Sequence, residues 1–260
     1  IETSSGGLDA LGNVRQALEQ SLGLTFEGER GDHFFRSTLV QTLFYGVFSG
    51  WVLWSKRQLP GSHDTYDWKD AGWELQVPLI RALFHELVNP STLKPLGLDE
   101  VLDWTGTTLN RVDRLAFFER FAEEQAVQHF YEPFLEAFDP DLRKQLGVWY
   151  TPPEVVRYMV ERVDTVLREE LGIAAGLADE SVYVLDPATG TGSFLVEVLR
   201  RIHRTLTEGG GDALTAEDVK RAAMQRVFGF EIMPAPFVVA HLQLGLLLQH
   251  IGAGLSDELS

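Results

Sequence analysis

Apolar residues recur at intervals of three and four through the first half of this chain, then give way to a different rhythm. Between His33 and Lys56, the positions of Phe34, Phe35, Leu39, Leu43, Phe44, Val47, Phe48, Trp51 and Val52 predict a helix. Its apolar arc is broad, which places it inside a bundle rather than along one side of it. Pro60-Gly61-Ser62 ends it. A second helix is expected from about Asp70 to Leu87, stopped before Asn89-Pro90, with Pro78 marking a kink or the true start. A third runs from Asp113 to about Phe138, carrying Leu115, Phe118, Phe121, Ala122, Val127, Phe130, Phe134 and Leu135. No strand, repeat or low-complexity tract stands out before Pro140. Residues 1–140 are therefore expected to form a mainly α domain, a helical bundle.

From Asp141 the grammar changes. Thr151-Pro152-Pro153-Glu154 reads as a helix start, with Thr151 as N-cap, a proline at the first helical position and Glu154 closing a capping box. That helix is expected to bury Val155, Val156, Met159, Val160, Val163 and Leu167 and to end near Gly172. Val182-Tyr183-Val184-Leu185 suits a buried parallel strand. A glycine-rich turn and a helix with Phe194, Leu195, Val198, Leu199 and Ile202 inward follow it. After the flexible Glu208–Asp212 break, Thr215 is expected to cap another helix. Val227–Phe230 reads as a second strand ending at Glu231, and a last, largely apolar helix contains Phe237 to Leu248. This αβαβα order is the opening of a doubly wound α/β sheet. Two strands do not complete such a sheet, so residues 141–260 are expected to be the N-terminal part of a truncated Rossmann-like domain. Further strands are expected beyond Ser260 in a longer protein, and the last helix is expected to lack its normal packing partners. The start at Ile1, not a methionine, fits the same expectation.

Composition narrows the class. The 260 residues are 45% hydrophobic and 23% charged, as in a globular protein. No apolar run is long enough to span a bilayer, and the first residues lack a signal-peptide pattern. There is no cysteine, which excludes disulfides and thiolate metal sites and agrees with a cytoplasmic setting. The seven histidines are scattered without ligand spacing, so no metal is expected. The six tryptophans are expected in the core rather than as base-stacking platforms. The net charge of −16, with neither half basic, argues against a surface that coats phosphates. If DNA is the substrate, the surface that grips it lies mostly elsewhere.

The informative segment is Asp186-Pro187-Ala188-Thr189-Gly190-Thr191-Gly192-Ser193-Phe194, set between a strand and a helix. Gly190 and Gly192 would let the backbone approach a ligand closely, and the helix start favours an anionic group. A dinucleotide loop wants a third glycine where Leu195 stands; a nucleotide triphosphate loop wants a lysine that is missing. Glu231, closing the second strand, can accept hydrogen bonds from ribose hydroxyls.

On these residues the chain resembles the amino-group DNA methyltransferases. Asp186 to Phe194 looks like their motif I and Gly229-Phe230-Glu231 like their motif II. Gly147-Val148-Trp149-Tyr150-Thr151-Pro152 looks like motif X, which in one subclass precedes motif I and closes over the methionine end of the cofactor. The resemblance implies S-adenosyl-L-methionine as cofactor, held by Tyr150, Thr151, Asp186, Pro187, Ala188, Gly190, Thr191, Gly192, Ser193, Phe194 and Glu231. His129–Leu135 together with Leu146–Pro152 is similar to the type ISP restriction–modification enzymes, and Gln41–Phe48 looks like part of their helical coupler. That implies a site-specific adenine-N6 methyltransferase of a restriction or phage-defence system. Its partners would be double-stranded DNA, gripped through other parts of the protein, the remaining half of the methyltransferase, and a translocase and nuclease; no membrane is implied.

One departure matters. The family places an N-P-P-Y-type tetrapeptide at the amine that is methylated, and none occurs here. Thr151-Pro152-Pro153-Glu154 has the wrong first residue and no aromatic. The 260 residues are therefore expected to be inactive alone, and no catalytic residue is assigned. A methyltransferase acting on RNA or protein, or an interaction module with a vestigial cofactor fold, remains open; a dehydrogenase is disfavoured by Leu195.

Overall fold

The computed structural model describes residues 5–22, 25–59, 62–75, 78–120, 136–138, 151–211 and 214–253. They are mainly helical with few strands, and the chain divides into two compact units between residues 122 and 123.

The first unit holds α1 (Ser5–Leu22), α2 (Gly28–Arg57), a 3-10 turn at Trp68–Asp70, α3 (Ala71–Glu74), α4 (Pro78–Val88), α5 (Pro90–Leu96), α6 (Asp99–Leu109) and α7 (Arg114–Arg120). The broad apolar arc of α2 has its expected consequence: Phe35, Leu39, Leu43, Val47, Trp51 and Val52 are all buried. The helix expected from Asp70 to Leu87 is two helices. Pro78 begins the second of them, since its missing N–H costs nothing at a helix start. Asn89-Pro90 both stops α4 and starts α5: the Asn89 side chain accepts from the Ser91 N–H at 3.0 Å, and Gly97, at φ 66°, ends that helix. Of the third expected helix, α7 and the helical residues 136–138 are described; Phe121 to Leu135 lie outside the described residues. Trp51 and Trp68 are core as expected, whereas Trp73 and Trp104 are exposed.

Two glycines one turn apart let neighbours press directly on α2. A Cβ on Gly46 would overlap the ring of Phe84, which is fully buried. A Cβ on Gly50 would lie 2.6 Å from the Tyr66 hydroxyl, which donates to the Val47 carbonyl at 2.8 Å. Gly46→Ala should therefore destabilise this unit by about 1–3 kcal/mol through overpacking. That outweighs the roughly 1 kcal/mol that alanine contributes to helix propensity. Urea unfolding measures the difference, and a stabilised variant would mean that Phe84 is free to swing aside.

The second unit runs α8 (Pro153–Glu169), a 3-10 turn at Gly176–Ala178, β1 (Val184–Asp186), α9 (Ser193–Glu208), α10 (Thr215–Gln225), β2 (Val227–Gly229) and α11 (Pro234–His250). The strands pair in parallel, with Val184 opposite Val227, Leu185 opposite Phe228 and Asp186 opposite Gly229. Val160, Leu177, Leu199, Ile202, Val219 and Leu248 lie at the centre of its core.

Several expectations change here. The residue before α8 is Pro152, whose carbonyl accepts from Val155 and Val156, so Thr151 is not the N-cap and no capping box forms. Leu214, rather than Thr215, is the cap position of α10. On α8 the stripe Val156, Val160, Asp164 is buried, while Val155, Met159 and Val163 stay exposed. Among the described residues only one face of the two-stranded ladder is covered. Val182, Val184 and Val227 pack on the core, and Tyr183, Leu185, Phe228 and Phe230 are exposed. In the last helix Val239, Ala240, Leu242, Leu246, Leu247 and Leu248 are buried, with α9 and α10 packed against it.

Buried charges fix the approach to β1. Asp164 is fully buried and accepts from Arg168, from Arg201 of α9 and from the Leu177 N–H. On the other side of the same turn, Arg226 donates to the carbonyls of Leu177, Ala178 and Val182. The turn is clamped between an acid on α8 and a base ahead of β2.

Candidate functional site

β1 hands the chain to the glycine turn, and the turn is stitched to the end of β2. Phe230 donates its N–H to the Asp186 carbonyl at 2.9 Å, and Thr189 donates its N–H to the Phe230 carbonyl at 3.0 Å. The buried Thr189 hydroxyl donates to the Asp186 carbonyl at 3.1 Å. Gly229 makes that closeness possible, since a Cβ there would strike the Thr189 side chain. Thr189 had no role in the sequence reading, yet it is the hinge pin of the turn.

Glu231 joins the same cluster. One carboxylate oxygen accepts from the Gly190 N–H at 2.8 Å and the other from the Met233 N–H at 2.7 Å. The structure thus brings Glu231 and the turn together across 41 residues of sequence. Each oxygen keeps a further lone-pair direction for a hydroxyl donor.

The two glycines expected to face a ligand have different roles. Gly190, at φ 56°, has open space where a Cβ would stand. Gly192, at φ 88°, lies against α11: a Cβ there would come within 3.0 Å of both the Cα and the Cβ of Ala240. Gly192 serves packing between the turn and a helix, a correction to the expectation that both glycines make room for a ligand. It also precedes α9 with no side chain to cap that helix, whose positive end is left for an anion.

Asp186 turns back on its own loop. Its Oδ1 accepts from the Ala188 N–H at 3.1 Å, while Oδ2 is buried without a partner among the described residues. A buried carboxylate oxygen in that state is a strong acceptor for an incoming donor. Pro187 and Ala188 are exposed, and Thr191, Ser193 and Phe194 are partly buried at the junction of turn and helix. Among the described residues no hydrogen bond joins Thr151 to this cluster. Tyr150 lies outside the described residues.

Beside the turn, a groove of about 490 Å³ runs between α8, β1 and α9. Its walls are apolar, from Met159, Val163, Leu185 and Phe194 among others; among the described residues Asp186 is the one charged residue that lines it. Gly190, Gly192 and Glu231 do not border it, so the polar cluster and the groove meet only at the Asp186–Pro187 step and Phe194. Among the described residues no group of His, Asp and Glu is arranged to hold a metal, and no described helix is long and apolar enough to cross a membrane.

The cluster offers carboxylates to hydroxyl or ammonium donors and a helix start to an anion, on a turn built for close backbone approach. Residues 122–253 match the N-6 DNA Methylase family, and the chain belongs to that family. Among solved structures it is similar to a DrdV–DNA complex, at 19% identity and a TM-score of 0.60, covering 98% of this chain and 22% of that one. It is also similar to LlaBIII, an ATP-dependent type ISP restriction–modification enzyme bound to DNA, at 20% identity and a TM-score of 0.59, covering 96% and 15%. A nuclease-deletion mutant of the type ISP enzyme LlaGI, in complex with a DNA substrate mimic, matches at 18% identity and a TM-score of 0.51, covering 96% and 18%. At these identities the likeness establishes the fold. The chain spans about a fifth or less of the length of these structures. No curated protein sequence matches it.

Proposed function

We propose that this chain is the cofactor-binding portion, with its helical coupler, of a site-specific DNA adenine-N6 methyltransferase in a restriction–modification or phage-defence enzyme. The observation that carries the reading is the bond between Glu231 and Gly190. It sets an acid at the end of β2 against a D-P-A-T-G-T-G-S-F turn that opens a helix. On this reading residues 1–140 are the coupler and 141–260 the start of a Rossmann-like methyltransferase domain, its sheet represented by β1 and β2.

S-adenosyl-L-methionine fits the donors and acceptors of the cluster, and when bound it supplies an electrophilic methyl group. Glu231 would accept from its ribose hydroxyls, and Asp186 would offer Oδ2 to a donor. Pro187, Ala188, Gly190 and Thr191 would form the floor, and Ser193 and Phe194 the helix start facing the carboxylate. Tyr150 and Thr151 would close the methionine end. Gly192 contributes by seating the turn on α11. These residues bind and orient; none is placed to move a proton from the acceptor amine. Adenine as acceptor and DNA as substrate rest on the family match and on type ISP neighbours solved with DNA. The tetrapeptide that would hold the base is absent from these 260 residues, so they are inactive by themselves on this reading.

The test is a calorimetric titration of the full-length protein with S-adenosyl-L-methionine, alongside Glu231→Gln. The expected result is one site per chain, with affinity lowered about 10- to 100-fold in the variant, the worth of hydrogen bonds to a charged group. Glutamine keeps an acceptor for one of the two backbone N–H groups and removes the charge and one acceptor oxygen offered to the ribose hydroxyls. Equal affinity would make Glu231 a structural residue only and remove the main support for the reading.

A further inference from the structure

The α11 face that meets the glycine turn carries a second feature, one helical turn from Ala240. Gln243 is buried, and its Nε2 donates to the Thr191 carbonyl at 2.9 Å. The peptide between Thr191 and Gly192 is therefore held at both ends, its carbonyl by Gln243 and its N–H by the Thr189 carbonyl at 2.9 Å. With Gly190 and Gly192 both at positive φ, this stretch has more conformational freedom than any other part of the turn. Without a donor on α11, only the bond from its N–H to the Thr189 carbonyl restrains that peptide against rotation. Rotation would redirect the start of α9 and shift Gly190 relative to Glu231.

We infer that Gln243 is a positioning residue for the cofactor turn: its amide, with Ala240 beside it, locks the Thr191–Gly192 peptide in the conformation that binds. The inference rests on the cofactor reading above. Gln243 is buried and bonds the turn at a main-chain carbonyl, so it acts through the backbone.

Two substitutions in the full-length protein test it. Gln243→Met keeps length and volume but removes the donor. S-adenosyl-L-methionine should bind about 10-fold more weakly to it, while the thermal transition of the variant stays cooperative. Gln243→Glu gives a signature that a packing role would not. The ionised carboxylate repels the Thr191 carbonyl, and the protonated acid again donates to it. Affinity relative to wild type at the same pH should therefore recover as pH falls, in Gln243→Glu but not in Gln243→Met. Should Gln243→Met fail to fold, the pH series on Gln243→Glu decides. Wild-type binding with Gln243→Met unaffected, or a Gln243→Glu ratio flat with pH, overturns the inference alone. Wild-type protein that does not bind overturns the cofactor reading and the inference with it.

Discussion

Gly192→Ala should lower the affinity of the full-length protein for S-adenosyl-L-methionine by about 100-fold, close to 3 kcal/mol. Two costs combine. The residue sits at φ 88°, where an L side chain costs about 1–2 kcal/mol. The added Cβ also meets the Cα and Cβ of Ala240 at 3.0 Å. Part of that contact is with backbone, so the turn has to move rather than a side chain. What moves is the binding surface: the Thr191–Gly192 peptide, the start of α9 and, through Gly190, the bond to Glu231. Gly172→Ala is the control. It has a similar φ of 71° but nothing within 4 Å of its Cβ, so it should lose stability through backbone strain and leave affinity unchanged. Adding Ala240→Gly to Gly192→Ala should recover only the part of the steric share due to the Ala240 Cβ, and neither the part due to its Cα nor the share due to φ. Equal affinity losses at Gly172 and Gly192 would trace the effect to general destabilisation.

How far the sequence reaches depends on whether a residue's role is local. The strand–turn–helix around Asp186 to Phe194 is legible because a short apolar run, two glycines and an amphipathic helix each act on their own neighbours. Glu231 is legible by its place at the end of β2. The division of labour between Gly190 and Gly192 is not, since it depends on which glycine α11 packs against, and that contact spans 48 residues. Gln243 is hidden for the same reason: in sequence it is one polar position inside an apolar helix. On α8 two stripes compete, Val155–Met159–Val163 and Val156–Val160–Asp164. The apolar spacing sends the valines and the methionine of both to the core, and the structure buries the second stripe while leaving the first exposed. The burial of Asp164 is not legible from the sequence, because it depends on Arg201, 37 residues away, joining Arg168 in neutralising it. The twofold role of Asn89-Pro90, ending α4 and capping α5, is available from cap chemistry.

That buried acid carries the largest expected effect on stability. Asp164→Ala should destabilise the second unit by about 3 kcal/mol, because removing one partner of a buried charged cluster leaves the others uncompensated. It would strand the Leu177 N–H, now bonded at 2.8 Å, and two guanidinium groups, bonded at 2.7–2.9 Å. Gly176 shows how closely the turn lies on the carboxylate: a Cβ there would strike Asp164 and Arg168. The exposed pair Arg221–Asp218 is the contrast, where Asp218→Asn should change stability by about 1 kcal/mol or less. Burial alone would raise the Asp164 carboxyl; the bonds from Arg168, Leu177 and Arg201 outweigh it and hold it below the ordinary carboxylate value. The unfolded chain then takes up a proton at a higher pH than the native one. The contribution is complete above about pH 4 and is lost as pH falls from there through the native pKa. Asp164→Asn should remove that part of the acid sensitivity along with the stability. Residue-resolved hydrogen exchange at the Leu177 and Ile202 amides is the measurement, since five of the six tryptophans, Trp51, Trp54, Trp68, Trp73 and Trp104, belong to the first unit and would dominate a fluorescence signal. A loss near 3 kcal/mol at both amides makes the Asp164 cluster the clamp that holds α8, α9 and the turn before β1 as one body. A loss below about 1 kcal/mol would mean that Arg168 and Arg201, with side chains 31% and 24% exposed, rehydrate at little cost.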